Sequence, residues 1–179
     1  MSDDPSIRAG YQRDGVERFY REHGGHYANP HGDVVHALIR RCVREWSLEL
    51  SRVLDLAAGA GEATIALRAA GAGQIDAIDP YTAAAYERAT GAGCEPLRFA
   101  DVAAGAIRGR RYTLVVCSFA LHLVESSRLP AVVMELAAIS PALLVLTPHK
   151  RPVLKDAWGY RLLAETLHQR VRARLYATT

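Results

Sequence analysis

Three carboxylates and one glycine-bearing loop are the groups in this chain best placed to do chemistry. Asp55 ends the apolar run "RVLDL" and is followed by "AAGAGEATIAL". Gly59 and Gly61 in that loop let a ligand approach the backbone closely. Asp79 ends "QIDAID", 24 residues after Asp55, with Pro80 and Tyr81 next. Asp101 lies in "RFADV", with Val102 after it. A helix opening near Glu62 offers unpaired N–H groups to an anion. Yet Glu62 and Asp55 flank the loop, and two carboxylates repel a pyrophosphate. They suit a ligand carrying an ammonium and a single carboxylate. The dinucleotide spacing G-x-G-x-x-G also fails at its third position, Thr64, and no G-K-[ST] is present.

A carboxylate at Asp79 can accept hydrogen bonds from both hydroxyls of a ribose. Asp101 can accept from an exocyclic adenine amine, while Val102 donates its backbone N–H to a ring nitrogen. In chain order the three acids describe an amino-acid end, a ribose and an adenine, the shape of S-adenosylmethionine (SAM). The stretch "DLAAGAG" resembles the acid-x-Gly-x-Gly-x-Gly motif of the class I, Rossmann-like SAM-dependent methyltransferases, with Ala57 where the first glycine is usual. By that resemblance Asp55, Ala57, Gly59 and Gly61 border the methionine part. Asp79, Pro80 and Tyr81 border the ribose, and Asp101 and Val102 the adenine. "VVCSFALHL" is similar to the family's motif after the fourth strand, which brings Ser118 to the cofactor and acceptor. The resemblance runs from about Ser51 to the C-terminus. It implies SAM as cofactor, and it does not name the acceptor.

In-line methyl transfer from a sulfonium asks the protein mainly for alignment, and an oxygen or nitrogen acceptor also needs a base. His122, four residues past Ser118, and His149, in "TPHKRP", are the candidate bases; a structural histidine is the alternative for each. The loop "REHGGHYANPH" holds His23, His26, Tyr27 and His31. Its spacings fit no common zinc pattern and no cysteine joins them, so no metal is expected. Tyr27 is instead expected near the sulfonium or the acceptor, as part of a lid.

The elements that must position these groups alternate. A helix is expected over Gly32–Leu48, from apolar residues three and four apart. Strands are expected over Arg52–Ala57, Gln74–Asp79, Glu95–Ala100, Thr113–Ser118, Ala142–Thr147 and Val171–Tyr176. Helices are expected over Glu62–Ala70, Tyr81–Thr90, Ser127–Ile139 and Val153–Gln169. Near-continuous apolar strands such as "ALLVL" are buried on both faces. The fold class is therefore α/β: a Rossmann-like, doubly wound, mostly parallel sheet with helices on both faces. The family closes its sheet with two antiparallel strands; one is found here, so a C-terminal strand is missing or this one takes the inserted position. Residues 1–50 form a helical cap and 51–179 the SAM-binding core of a single compact domain.

The chain has 179 residues, half of them apolar, and a formal net charge of +3, too small to argue for nucleic acid. Seven of its basic residues lie between Lys150 and Arg174, which reads as a solvated helix face or, alternatively, a track for RNA phosphates. Cys42, Cys94 and Cys117 form no metal or redox spacing and read as free thiols of a reducing compartment. With no apolar leader and no run long enough to span a bilayer, a cytoplasmic protein without membrane contact is expected. The functional expectation is methyl transfer to an oxygen or nitrogen, favouring a small molecule over a tRNA-like acceptor. A NAD-dependent oxidoreductase and a non-catalytic SAM-binding module are the alternatives. An exposed last strand would make a homodimer.

Overall fold

The structure, a computed structural model, describes residues 31–179. Helix α1 (Gly32–Trp46) leads into β1 (Arg52–Leu56), α2 (Glu62–Ala69), β2 (Gln74–Ile78), α3 (Ala83–Thr90) and α4 (Phe99–Ala103). Then come β3 (Leu114–Ser118), α5 (Leu129–Ile139), β4 (Ala142–Thr147), β5 (Tyr160–His168) and β6 (Val171–Thr178). Short 3-10 turns cover Leu121–Leu123 and Asp156–Trp158.

The sheet runs in the order β2-β1-β3-β4-β6-β5. The first four strands are parallel, and β6 enters antiparallel between β4 and β5. Successive residues of β4 alternate between the two faces, as a pleated strand requires. Leu143 and Val145 join α4, the turn after it and α5 through Val102, Ile107, Val132 and Leu136. Leu144 and Leu146 join α1 and α2 through Leu38, Ile39, Ala63 and Leu67. The expected doubly wound α/β sandwich is thus present. Residues 32–46 of the expected cap belong to the sandwich itself, since Val35, Leu38, Ile39 and Cys42 are fully buried in its core.

Three expectations are corrected. The strand expected over Glu95–Ala100 shrinks to a single bridge between Glu95 and Ile78. Pro96 has no N–H to continue the ladder, and Arg98 with Asp101 closes a capping box that starts α4. The helix expected over Val153–Gln169 is instead mostly β5. Its Leu, Ala and Glu content favours a helix, but pairing with β6 overrides that weak preference. The turn joining β5 to β6 places both central residues, Gln169 and Arg170, at positive φ of 46° and 67°. That is the requirement of a tight hairpin, here met without glycine or asparagine. Accordingly no C-terminal strand is missing: both antiparallel strands are present, and β6 takes the inserted position. No helix among the described residues is long and apolar enough to cross a membrane.

Candidate functional site

The carboxyl ends of β1, β2, β3 and β4 lie side by side, because each pair is parallel and in register. Asp55 is 0 % exposed. Its Oδ2 accepts a 2.7 Å hydrogen bond from the Thr64 hydroxyl, which itself lies 2.9 Å from the Tyr86 hydroxyl. Its Oδ1 is buried without a hydrogen-bond partner. Burial pushes the Asp55 carboxyl up to about 7; the Thr64 hydroxyl opposes this and Glu62 adds to it.

After β1 the chain turns sharply. Ala57, Gly59 and Gly61 have φ of 57°, 58° and 94°. Ala57 therefore adopts the left-handed conformation that the family's first glycine favours, at a modest steric cost. Gly61 has a second reason to be glycine: an added Cβ would stand 2.5 Å from Thr90 Cγ2. This close approach packs the start of α2 against α3.

Asp79, 8 % exposed, ties the loop to the next strand end. Its Oδ2 accepts from the Gly59 N–H at 3.2 Å, and its Oδ1 accepts from the N–H groups of Tyr81 at 2.9 Å and Thr82 at 3.0 Å. Three of its lone-pair positions are thus taken, and one remains on Oδ2. While the Gly59 bond stands, a ribose meets one acceptor position there rather than the expected two. Pro80 and Tyr81 flank it, half-buried.

Asp101 does not end a strand; it is the third residue of α4. Its Oδ2 accepts the Arg98 N–H at 2.8 Å, which with the Arg98 guanidinium holds the carboxyl below the usual range. Val102 is fully buried, and its N–H already donates to Arg98 O at 3.1 Å. The N–H expected to meet a ring nitrogen is thus engaged within the helix.

On the other side, Ser118 ends β3, half-buried, and Phe119 follows at a left-handed φ of 57°. Phe119 stacks on His31 with ring centroids 5.0 Å apart. Beyond it the structure brings together the two histidines proposed as bases: the rings of His122 and His149 lie 4.3 Å apart. His122 Nδ1 is buried without a partner, and burial, then His149, pushes the ring down to about 4. His149 is exposed, with its N–H on Thr147 Oγ1 at 3.1 Å. Tyr27, His23 and His26 lie outside the described residues. No cluster of three or more metal-ligating side chains occurs among the described residues.

Three residues escaped the sequence. Thr64 and Tyr86 complete the hydroxyl chain to Asp55, and only the inward face of α2 hinted at the first. Arg174, 4 % exposed on β6, bonds Glu165 and the carbonyls of Lys150 and Pro152, fixing the loop after His149.

Residues 53–140 match the family model described as "Methyltransferase domain". Uncharacterized protein C17A5.05c of Schizosaccharomyces pombe is 31 % identical, over 87 % of this chain and 79 % of its own. The fold is similar to that of magnesium protoporphyrin IX methyltransferase from Synechocystis PCC 6803 with bound SAM, at 19 % identity and a TM-score of 0.62 over 100 % of this chain and 98 % of that one. It is similar also to ribosomal protein L11 methylase from Lactobacillus delbrueckii subsp. bulgaricus, at 13 % identity and 0.61 over 86 % and 81 %. Together with the strand order and the glycine loop after β1, these matches give the conclusion: the chain belongs to the methyltransferase-domain family and has the class I, Rossmann-like fold.

Proposed function

We propose that this protein moves a methyl group from SAM to an oxygen or nitrogen of a small molecule. The observation that carries the reading is the buried, unpartnered Oδ1 of Asp55 beside a left-handed glycine loop. A dry carboxylate oxygen attracts an ammonium strongly, and repels a pyrophosphate. This also weighs against a NAD-dependent oxidoreductase. Asp79 would take a ribose hydroxyl on its remaining position, and Asp101, one-third exposed, the adenine amine. When bound, SAM supplies a methyl group already activated on a sulfonium. The chain's own work is then alignment, exclusion of water and removal of one proton.

For that proton the His122–His149 pair is the proposed acceptor, with Ser118 beside the acceptor and Tyr27 completing the site from the N-terminal segment. The small-molecule reading gains support from the basic stretch. Arg174 and Arg172 are drawn to Glu165 at 2.5 Å and 3.7 Å, so fewer cations face solvent than the sequence offered to RNA. The exposed Lys150 and Arg151 next to His149 keep an RNA acceptor as the second reading. The fold is shared by enzymes acting on a porphyrin and on a ribosomal protein, so it does not choose.

Calorimetry with SAM and S-adenosylhomocysteine tests the cofactor: absence of binding removes the proposal. A screen of hydroxylated and amine metabolites and of bulk tRNA, using methyl-labelled SAM, tests the acceptor. Label only in tRNA, with strongly salt-dependent binding, would replace the small molecule by RNA. SAM binding without label in any acceptor would favour a non-catalytic module.

A further inference from the structure

Asp55 sits in an unusual company. The ionisable groups acting on it are Glu62 at the start of α2 and Asp79 at the end of β2, and its own charge in turn raises Tyr86 on α3, Cys94 beside Asp79 and Cys117 inside β3. All of them are acids. Among the described residues no cation acts on it with them, although the carboxyl is fully buried. Buried carboxylates need a cation or a full set of donors, and this one has only Thr64, through its hydroxyl on Oδ2 and its backbone N–H, with Oδ1 left without a hydrogen-bond partner.

The donor is fixed in direction. A threonine hydroxyl has one hydrogen. Thr64 spends it on Asp55, so the Tyr86 hydroxyl must be the donor in the 2.9 Å contact with Thr64. Thr64 is 0 % and Tyr86 1 % exposed, so water does not compete for either hydroxyl. The chain Tyr86–Thr64–Asp55 thus runs from α3 through α2 to β1. It holds one carboxylate oxygen and leaves the other without a hydrogen-bond partner among the described residues.

Building on the SAM reading above, we propose that Thr64 and Tyr86 are positioning residues for the amino-acid end of the cofactor. Their hydroxyls lock Asp55 Oδ2, turn Oδ1 to the incoming ammonium group, and make cofactor binding expel a proton from Asp55 to solvent. The balance is simple: the carboxyl O–H bond breaks, its proton passes to water, and the carboxylate gains the ammonium as its ion-pair partner. Burial holds the Asp55 proton up to about pH 7. An ammonium against Oδ1 lowers that value, so affinity rises as pH climbs toward it.

The test uses S-adenosylhomocysteine, with 5′-methylthioadenosine as the probe that lacks both ammonium and carboxylate. Titration calorimetry at pH 6, in buffers of different ionisation enthalpy, counts protons released. Wild type should release about one proton per S-adenosylhomocysteine, and its affinity should rise about five- to tenfold from pH 6 to pH 7.5. 5′-Methylthioadenosine should release none. Thr64→Val removes the donor to Oδ2 and raises the carboxyl further, so proton release should persist at pH 7.5 and affinity should fall about tenfold. Tyr86→Phe should act in the same direction and more weakly, and Thr64→Ser should restore wild-type behaviour. Thermal melts of each variant check folding. Wild-type binding without proton release, or a folded Thr64→Val with wild-type affinity and proton count, overturns the proposal while leaving the SAM reading intact. No binding of S-adenosylhomocysteine by wild type overturns both.

Discussion

The imidazoles of His122 and His149 face each other across two strand ends, with ring centroids 4.3 Å apart and planes tilted by 58°. Burial, then His149, pushes His122 down to about 4, below its unfolded value near 6.5. Between those values the unfolded chain binds a proton that the folded chain refuses. The stability this brings is full above about pH 6.5 and is lost as pH falls toward about 4. Between those limits the melting temperature of His122→Phe should fall less than that of wild type. Equal falls would show that the ring is not held neutral. On an acceptor found by the screen, His149→Ala and His122→Ala should each lower kcat by about 10²-fold with unchanged S-adenosylhomocysteine affinity.

Asp79 accepts three backbone N–H groups, so it is structural as well as a proposed ribose acceptor. Asp79→Ala should lose about 1–3 kcal/mol of stability in denaturant melts, by leaving those donors with water at best. Asp79→Asn keeps one acceptor oxygen for Tyr81 and Thr82 and removes the charge. Its amide NH2 then meets the Gly59 N–H, so we expect a loss of stability smaller than in Asp79→Ala, and S-adenosylhomocysteine affinity at least about tenfold weaker. Unchanged affinity in Asp79→Asn would remove the ribose role.

Gly61 combines a φ of 94° with a Cβ position 2.5 Å from Thr90 Cγ2. Gly61→Ala should cost about 2–4 kcal/mol, part from backbone strain and part from overlap. Thr90→Ser removes Cγ2 and keeps the hydroxyl that donates to Tyr86 O at 2.8 Å. In the Gly61→Ala background it should recover the overlap part alone, a coupling that a double-mutant cycle in urea would read. Strict additivity would show that the close approach is not made.

Arg174 holds Glu165, Lys150 O and Pro152 O at 2.5–2.9 Å from one buried guanidinium. Its removal leaves two carbonyls short of a donor and Glu165 with Arg172 alone, and Arg174→Ala should cost about 1–3 kcal/mol. Arg174→Lys should recover little, because one ammonium cannot span the fork. Amide exchange in residues 149–153 should quicken in both variants. Protection as in wild type would show that the loop is held otherwise.

Several elements were legible because local pattern and tertiary need coincide. The apolar runs of β1, β3 and β4 are buried on both faces, and nothing but a central parallel strand suits them. The spacing in α1 names its buried face, and the observed helix keeps it. Asp55, the glycine loop and Asp79 could be read because strand–loop–helix order and residue type act within a few residues of each other.

What failed depended on partners far along the chain. Glu95 bridges β2 for one residue only, and β5 is a strand because β6 lies beside it, against its own leucine-rich helical leaning. The hairpin turn of Gln169 and Arg170 carries none of the usual turn residues, so its positive φ values are set by the two strands that it joins. The sequence by itself determined the fold class and the acid–glycine loop order after β1. Only the tertiary structure decided that His122 meets His149, that Thr64 and Tyr86 lock Asp55, and that Arg174 leaves the surface. Each of these is a contact between separate elements, and its energy comes from burial that no single segment can provide.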